Sequence, residues 1–158
     1  MDMNASYNKL VTKHLPKAQI VYDRFHMQSQ FGRDVLGVVR LDEARRHKAK
    51  EKEILADISD DTDKETMKSL KQEAKTEKQE YSQLKKLRWS LLINSDKLSD
   101  SKTEQLQSIL QDHHDLAVCY AMKEKMCRLY ELTDYQQSVT GWTKWFQAAK
   151  ESEIPALI

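Results

Sequence analysis

Residues 67–91 read MKSLKQEAKTEKQEYSQLKKLRWSL, and their spacing decides the fold class. Met67, Leu70, Ala74, Glu77, Tyr81, Leu84, Arg88 and Leu91 recur at intervals of three and four, the period of one helical face. Glu77 and Arg88 interrupt the apolar stripe, so it is an imperfect coiled-coil seam. Working outward, Asp60-Asp61-Thr62-Asp63 places acids where a following helix has its positive end. Before it, Gln28 to Leu41 carries Phe31, Val35, Leu36, Val38 and Val39, a dense apolar patch fit for burial. Arg40 to Glu53 is almost wholly charged, with Ile54 and Ile58 beyond. The economical reading is an antiparallel hairpin, 34–57 against 62–93, with a polar tip near 58–62 and a projecting outer half.

Composition agrees. The 158 residues hold 3 Gly and 2 Pro, and neither type occurs between Val38 and Thr140, which excludes an all-β fold built on tight turns. Lys+Arg number 26 against 25 Asp+Glu, so net charge supplies no global pull toward nucleic acid or membrane. No apolar run reaches the roughly 20 residues that span a bilayer, and the polar start is no secretory signal. Further helices are predicted from Thr103 through Leu110, from Leu116 to Leu132 with Leu116, Tyr120, Cys127 and Tyr130 inward, and from Gln136 to Lys150. On the last, Val139, Trp142, Phe146 and Ala149 share a face.

The N-terminal segment differs. Asn4 is placed to cap a helix carrying Tyr7, Leu10, Val11 and His14, which Leu15-Pro16 stops. Ala18-Gln19-Ile20-Val21-Tyr22 is short, β-branched and ends at Asp23, so it reads as a strand. A single strand needs neighbours for its backbone groups, so this piece reads as helix and strand taken from a larger α/β sheet. The fold class is therefore mainly α: a long helical hairpin with a helical bundle, and one N-terminal helix–strand remnant.

Few residues suggest chemistry. His113 and His114 near Cys119 and Cys127 invite zinc, but CxxC and CxxH spacings are missing, and ordinary joint histidines are the preferred reading. The two cysteines read as reduced core thiols. Lys85-Lys86-Leu87-Arg88-Trp89 sets three cations beside an indole with no acid, which suits phosphate contact. In the last helix Trp142 sits on the main stripe as core; Trp145 falls off it and stands as a base-stacking candidate. Asp23, at a strand end, is either a cap or a carboxylate placed where two-metal sites gather ligands.

At Asp23-Arg24-Phe25-His26 the sequence resembles a known family. Met1-Asp2-Met3, Leu15-Pro16-Lys17-Ala18 and Ile20-Val21-Tyr22-Asp23-Arg24-Phe25-His26 are similar to the DDE-class insertion-sequence transposases of bacteria, and closest to the ISL-three family. Leu87-Arg88-Trp89-Ser90-Leu91-Leu92, Tyr120-Ala121-Met122-Lys123-Glu124, Trp142-Thr143-Lys144-Trp145 and Ser152-Glu153-Ile154-Pro155 agree in order and spacing. Ser90 departs from the family's usual apolar residue.

The resemblance implies a ribonuclease H-like sheet whose three acids hold two Mg2+ or Mn2+ ions for in-line attack on DNA phosphodiesters. Matched by position, Asp2 is the second catalytic, metal-binding acid, while Asp23 and His26 lie near the site. Residues 1–26 would be the remnant of that core and 27–158 a helical insertion. The first acid is expected upstream of Met1 and the last glutamate downstream of Ile158. The chain alone is thus expected to hold no stable metal and to be inactive. Its implied partners are transposon-end DNA and a second protomer, in the bacterial cytoplasm, with no membrane and no small-molecule substrate. The alternative is a non-enzymatic helical module that associates through the Met67–Leu91 seam and modulates a full-length transposase.

Overall fold

Asp23 opens the main body of the fold. Its extended backbone and a carboxylate accepting from the Phe25 N–H at 2.8 Å start a helix that continues to Ala56. In this computed structural model, residues 5–59 and 62–158 are described. Helix α1 spans Ala5–His14, α2 Arg24–Phe31 and α3 Gly37–Ala56, with a π-helical turn, Gly32–Leu36, joining α2 to α3. Helix α4 spans Lys64–Lys86, α5 Arg88–Leu92, α6 Asp100–Asp112, α7 His114–Leu129 and α8 Tyr135–Glu151.

Helices α3 and α4 form the expected antiparallel hairpin. Arg40 reaches the Leu84 carbonyl, His47 reaches Glu77, and Lys50 lies 3.9 Å from Glu73, so numbers rise along one helix as they fall along the other. Asp63 caps α4 by accepting from the Glu65 and Thr66 N–H groups at 3.0 and 2.9 Å, a device worth about 1 kcal/mol. Along the seam Ala74, Glu77, Leu84 and Leu91 are buried and Met67, Leu70 and Tyr81 partly so. Arg88 is a correction: it is exposed, and Leu87 is buried in its place. The helix breaks at Leu87, and turning by one position there keeps a guanidinium in water. Helix α3 covers this stripe, so the surface expected to join a second chain is used within the hairpin.

The main core lies at the hairpin's inner end. Leu36, Leu84, Leu91, Leu116 and Cys119 are its largest fully buried side chains, each leucine worth about 1.5–3 kcal/mol of apolar burial. Ile54 and Ala74, farther out, are buried but stand apart from that cluster. Helix α7 is central. It buries Leu116, Cys119, Met122, Lys123, Met126, Cys127 and Leu129, a wider band than the single stripe through Tyr120 and Tyr130, which are only partly covered. Lys123 enters this core because its ammonium donates to the Ile93 carbonyl at 2.8 Å, pairs with Glu124 at 2.6 Å and lies over the Tyr120 ring.

Two further expectations are corrected. On α8 the buried residues are Trp145 and Ala149, while Val139 and Phe146 are exposed. Two apolar rows compete there, and the row holding Trp145 wins because its indole N–H finds the Met122 carbonyl at 2.9 Å. Ala18–Tyr22 forms no strand, and the described residues contain none. No neighbouring strand is present to pair with it, and β-branched propensity cannot supply a ladder. The ribonuclease H-like remnant therefore has no sheet in this structure. Helix α1, ended before Pro16 as expected, buries no residue. The proposed cap Asn4 and the acids Asp60 and Asp61 lie outside the described residues.

Candidate nucleic-acid interface

The π-helical turn brings Gly32 against Leu92, and a Cβ at Gly32 would collide with that side chain. This close approach draws α2 and the start of α3 against α5. Between them lies a groove of about 630 Å³, lined on one side by Phe25, Gln28, Arg33, Val38, Arg40 and Leu41 and on the other by Arg88, Trp89 and Leu92. Phe25 and Trp89 present their rings to solvent, at 68% and 66% exposure. No acidic residue is among the described residues lining the groove.

The cations differ in availability. Arg33 is spoken for, since Asp34 takes its guanidinium at 2.7 and 3.0 Å. Arg40 is buried and donates from Nη1 to the Leu84 and Lys85 carbonyls at 3.0 and 3.2 Å, satisfying backbone groups where α4 ends. Burial first, then the nearby charge of Arg88, lower the pKa of Arg40, yet arginine starts so high that it stays charged. Arg88 is exposed and lies over the Trp89 ring at 5.1 Å. Two like charges face the same groove without a lining acid between them, an arrangement that an anion would relieve. Lys85 and Lys86 extend the positive surface along the exposed last turn of α4, where Lys85 lies 5.9 Å from the Tyr81 ring.

Of the residues singled out from sequence, the fold thus gathers Lys85, Lys86, Arg88 and the neighbouring Trp89. Trp145 is elsewhere: it is buried, edge-on to Phe31, with its N–H bonded to the backbone. Asp23 caps α2, and His26 is partly buried beside the Phe25 ring at 5.7 Å. Asp2 lies outside the described residues. Sequence reading missed Phe25 and Arg40 as groove residues. Arg40 carried a signal, a cation directly following the apolar Val38-Val39. Phe25 had only its place in the Asp23–His26 block.

The arrangement suits a polyanion carrying flat rings: guanidinium and ammonium groups for phosphate, exposed aromatic faces for bases or sugars. The thiols are unsuited to chemistry. Burial, reinforced by Asp115, pushes Cys119 up to about 12, and burial also raises Cys127. No helix among the described residues is long and apolar enough to cross a membrane.

Comparison with known proteins bears on this surface. The transposase for insertion sequence element IS1001 of Bordetella parapertussis is 27% identical over 157 residues, 99% of this chain and 32% of that relative. The chain therefore spans about a third of the length of the curated relative it matches. No solved structure matches. A family profile for DDE transposases of the ISL-three type, described as "Transposase", matches residues 1–158, and the chain belongs to that family.

Proposed function

We propose that this chain acts in DNA transposition as the helical region of a DDE transposase, holding transposon-end DNA in the groove between α2–α3 and α5. The supporting observation is that groove: Arg40 and Arg88 on its walls, Phe25 and Trp89 exposed at it, and no described acid lining it. Arg88, Lys85 and Lys86 contact phosphates, and Trp89 and Phe25 lie against bases or sugars. Residues 27–158 form the insertion, and residues 1–26 complete a sheet whose other strands come from the rest of the enzyme. The exposure of Tyr7, Leu10, Leu15 and Tyr22 supports that division, because apolar side chains on an N-terminal segment that buries so little call for a covering partner.

The family generally uses a divalent metal. The described residues near the expected site do not fit a two-metal centre. Asp23 caps α2, and among the described residues no group of three metal-ligating side chains forms around Asp23 or His26. No step of phosphoryl transfer is assigned to them. Asp2 remains the one residue here proposed as a catalytic metal ligand, and a lone carboxylate does not hold two ions. We infer that the chain alone does not cut DNA; nicking of end DNA by the purified chain with Mg2+ or Mn2+ would overturn this.

Fluorescence anisotropy on a duplex bearing the element's terminal repeat tests the binding surface. Arg88→Ala/Trp89→Ala should weaken binding by about tenfold or more, as expected for losing a phosphate contact and a ring contact together. Lys71→Ala, on the outer half of α4, should bind as the parent does. Equal affinity for all three proteins would contradict the assignment.

A further inference from the structure

At the base of the hairpin, away from the groove, two histidines and three glutamates converge. Glu43 and His47 lie one turn apart on α3, and His113 sits at the joint between α6 and α7 with non-helical backbone angles of −124° and 82°. One ligand atom from each of Glu43, His47 and His113 lies within 4.8 Å of the other two. The His113 ring is 5% exposed; its Nδ1 is 3.7 Å from Glu43 Oε2, and its Nε2 has no hydrogen-bond partner. A buried imidazole nitrogen left without a partner is costly, so Nε2 calls for the nearby Glu80 oxygen while Nδ1 faces Glu43.

His47 is held by a carboxylate. Its Nδ1 lies 2.6 Å from Glu77 Oε2, and Lys50 holds the other Glu77 oxygen at 2.6 Å. A carboxylate on one ring nitrogen fixes the orientation and tautomer of the imidazole, the support that metal-binding histidines commonly have. The two imidazoles are edge-to-face with centroids 5.3 Å apart. Arg46 occupies Glu43 Oε1 at 2.9 Å, which leaves Oε2 facing His113. Glu80 Oε2 is 3.8 Å from His113 Nε2, the ring nitrogen that does not face Glu43, where after a small movement it accepts the Nε2 proton and leaves Nδ1 as the ligand atom.

We propose that Glu43, His47 and His113 bind one zinc-class dication, which clamps the hairpin base to the α6–α7 joint. Two imidazole nitrogens and one carboxylate oxygen form a donor set that zinc accepts, with water in the fourth position. A tetrahedral zinc centre separates its ligand atoms by about 3.3 Å, so the 3.7 Å His113–Glu43 edge needs little closing. The cysteines near His113 in sequence have no part in it. This site is separate from the acids expected to act on DNA, and it stands or falls independently of DNA binding.

The test uses the purified chain stripped of metal with a chelator. Zn2+ is titrated against a chromophoric competitor, and Co2+ binding is followed by its visible d–d bands. The expected result is one equivalent bound, a tetrahedral Co2+ spectrum and a Tm that rises with added Zn2+. Glu43→Gln and His47→Gln, both at partly exposed positions, should each weaken binding at least about tenfold, while Cys119→Ser/Cys127→Ser leaves it unchanged. His113→Asn should abolish binding; should that variant fail to fold, the Glu43 and His47 variants decide. Absence of one-equivalent binding, affinity unaltered in both of those variants, or affinity lost with the cysteines would overturn the proposal.

Discussion

Replacing Lys123 by methionine should cost the fold about 2 kcal/mol, although methionine nearly matches its length and is apolar in an apolar core. The Lys123 side chain is 4% exposed, so solvent does not screen its contacts. Its ammonium donates to the Ile93 carbonyl at 2.8 Å, pairs with Glu124 at 2.6 Å and sits 4.6 Å from the Tyr120 ring centroid. Losing the donor strands the Ile93 carbonyl at about 1–3 kcal/mol, and the ring contact adds about 0.5–2 kcal/mol. Relief of the ammonium's own desolvation offsets part of this. Glu124 is not orphaned, because the Ser95 hydroxyl still donates to it at 2.7 Å. With an m-value of about 1–3 kcal/mol/M, the loss lowers the urea midpoint by about 1 M at unchanged slope. A midpoint equal to or above the parent's would refute the view that Lys123 ties α5 to α7 through Ile93.

Two other outcomes follow from the same structure. The Lys50 ammonium, bonded to Glu77, and then His47 hold this carboxyl below the usual glutamate range against the opposing effect of burial. A lowered folded-state pKa gives stability that is present above the unfolded value, about 4.3, and lost as pH falls through the folded value. Lys50→Ala should therefore have a lower urea midpoint than the parent near neutral pH, and that gap should narrow as pH falls through the acid range; a gap that does not change with pH would contradict the pairing. The thiols give the other: Cys119, raised to about 12, and the buried Cys127 should resist a disulfide reagent in the native chain and both react in urea. Prompt reaction in native buffer would place them at the surface.

The hairpin was legible because a sparse apolar stripe on a heavily charged helix admits one face, and Ala74, Leu84 and Leu91 duly face inward. Where two rows are apolar, spacing alone does not choose. On α8 the choice rests on a backbone carbonyl of α7, that of Met122, which the Trp145 indole N–H reaches. Ala18–Tyr22 misled for a related reason, since strand propensity is local and a ladder is not. The groove was half legible. Lys85, Lys86, Arg88 and Trp89 are contiguous, whereas Phe25 and Arg40 join them only through the Gly32–Leu92 contact. The histidine cluster was hidden by distance along the chain. A zinc reading confined to His113, His114 and the nearby cysteines holds other partners, because Glu43 and His47 come from α3, distant along the chain.

The salt dependence of binding to terminal-repeat DNA tests the central claim most directly, with log affinity plotted against log salt for the parent and for Lys85→Ala/Lys86→Ala/Arg88→Ala. Three cations on phosphates should make the variant's slope shallower by up to about 3 units, since each neutralised phosphate contributes about 0.9. Identical slopes would show that this surface does not touch the DNA backbone.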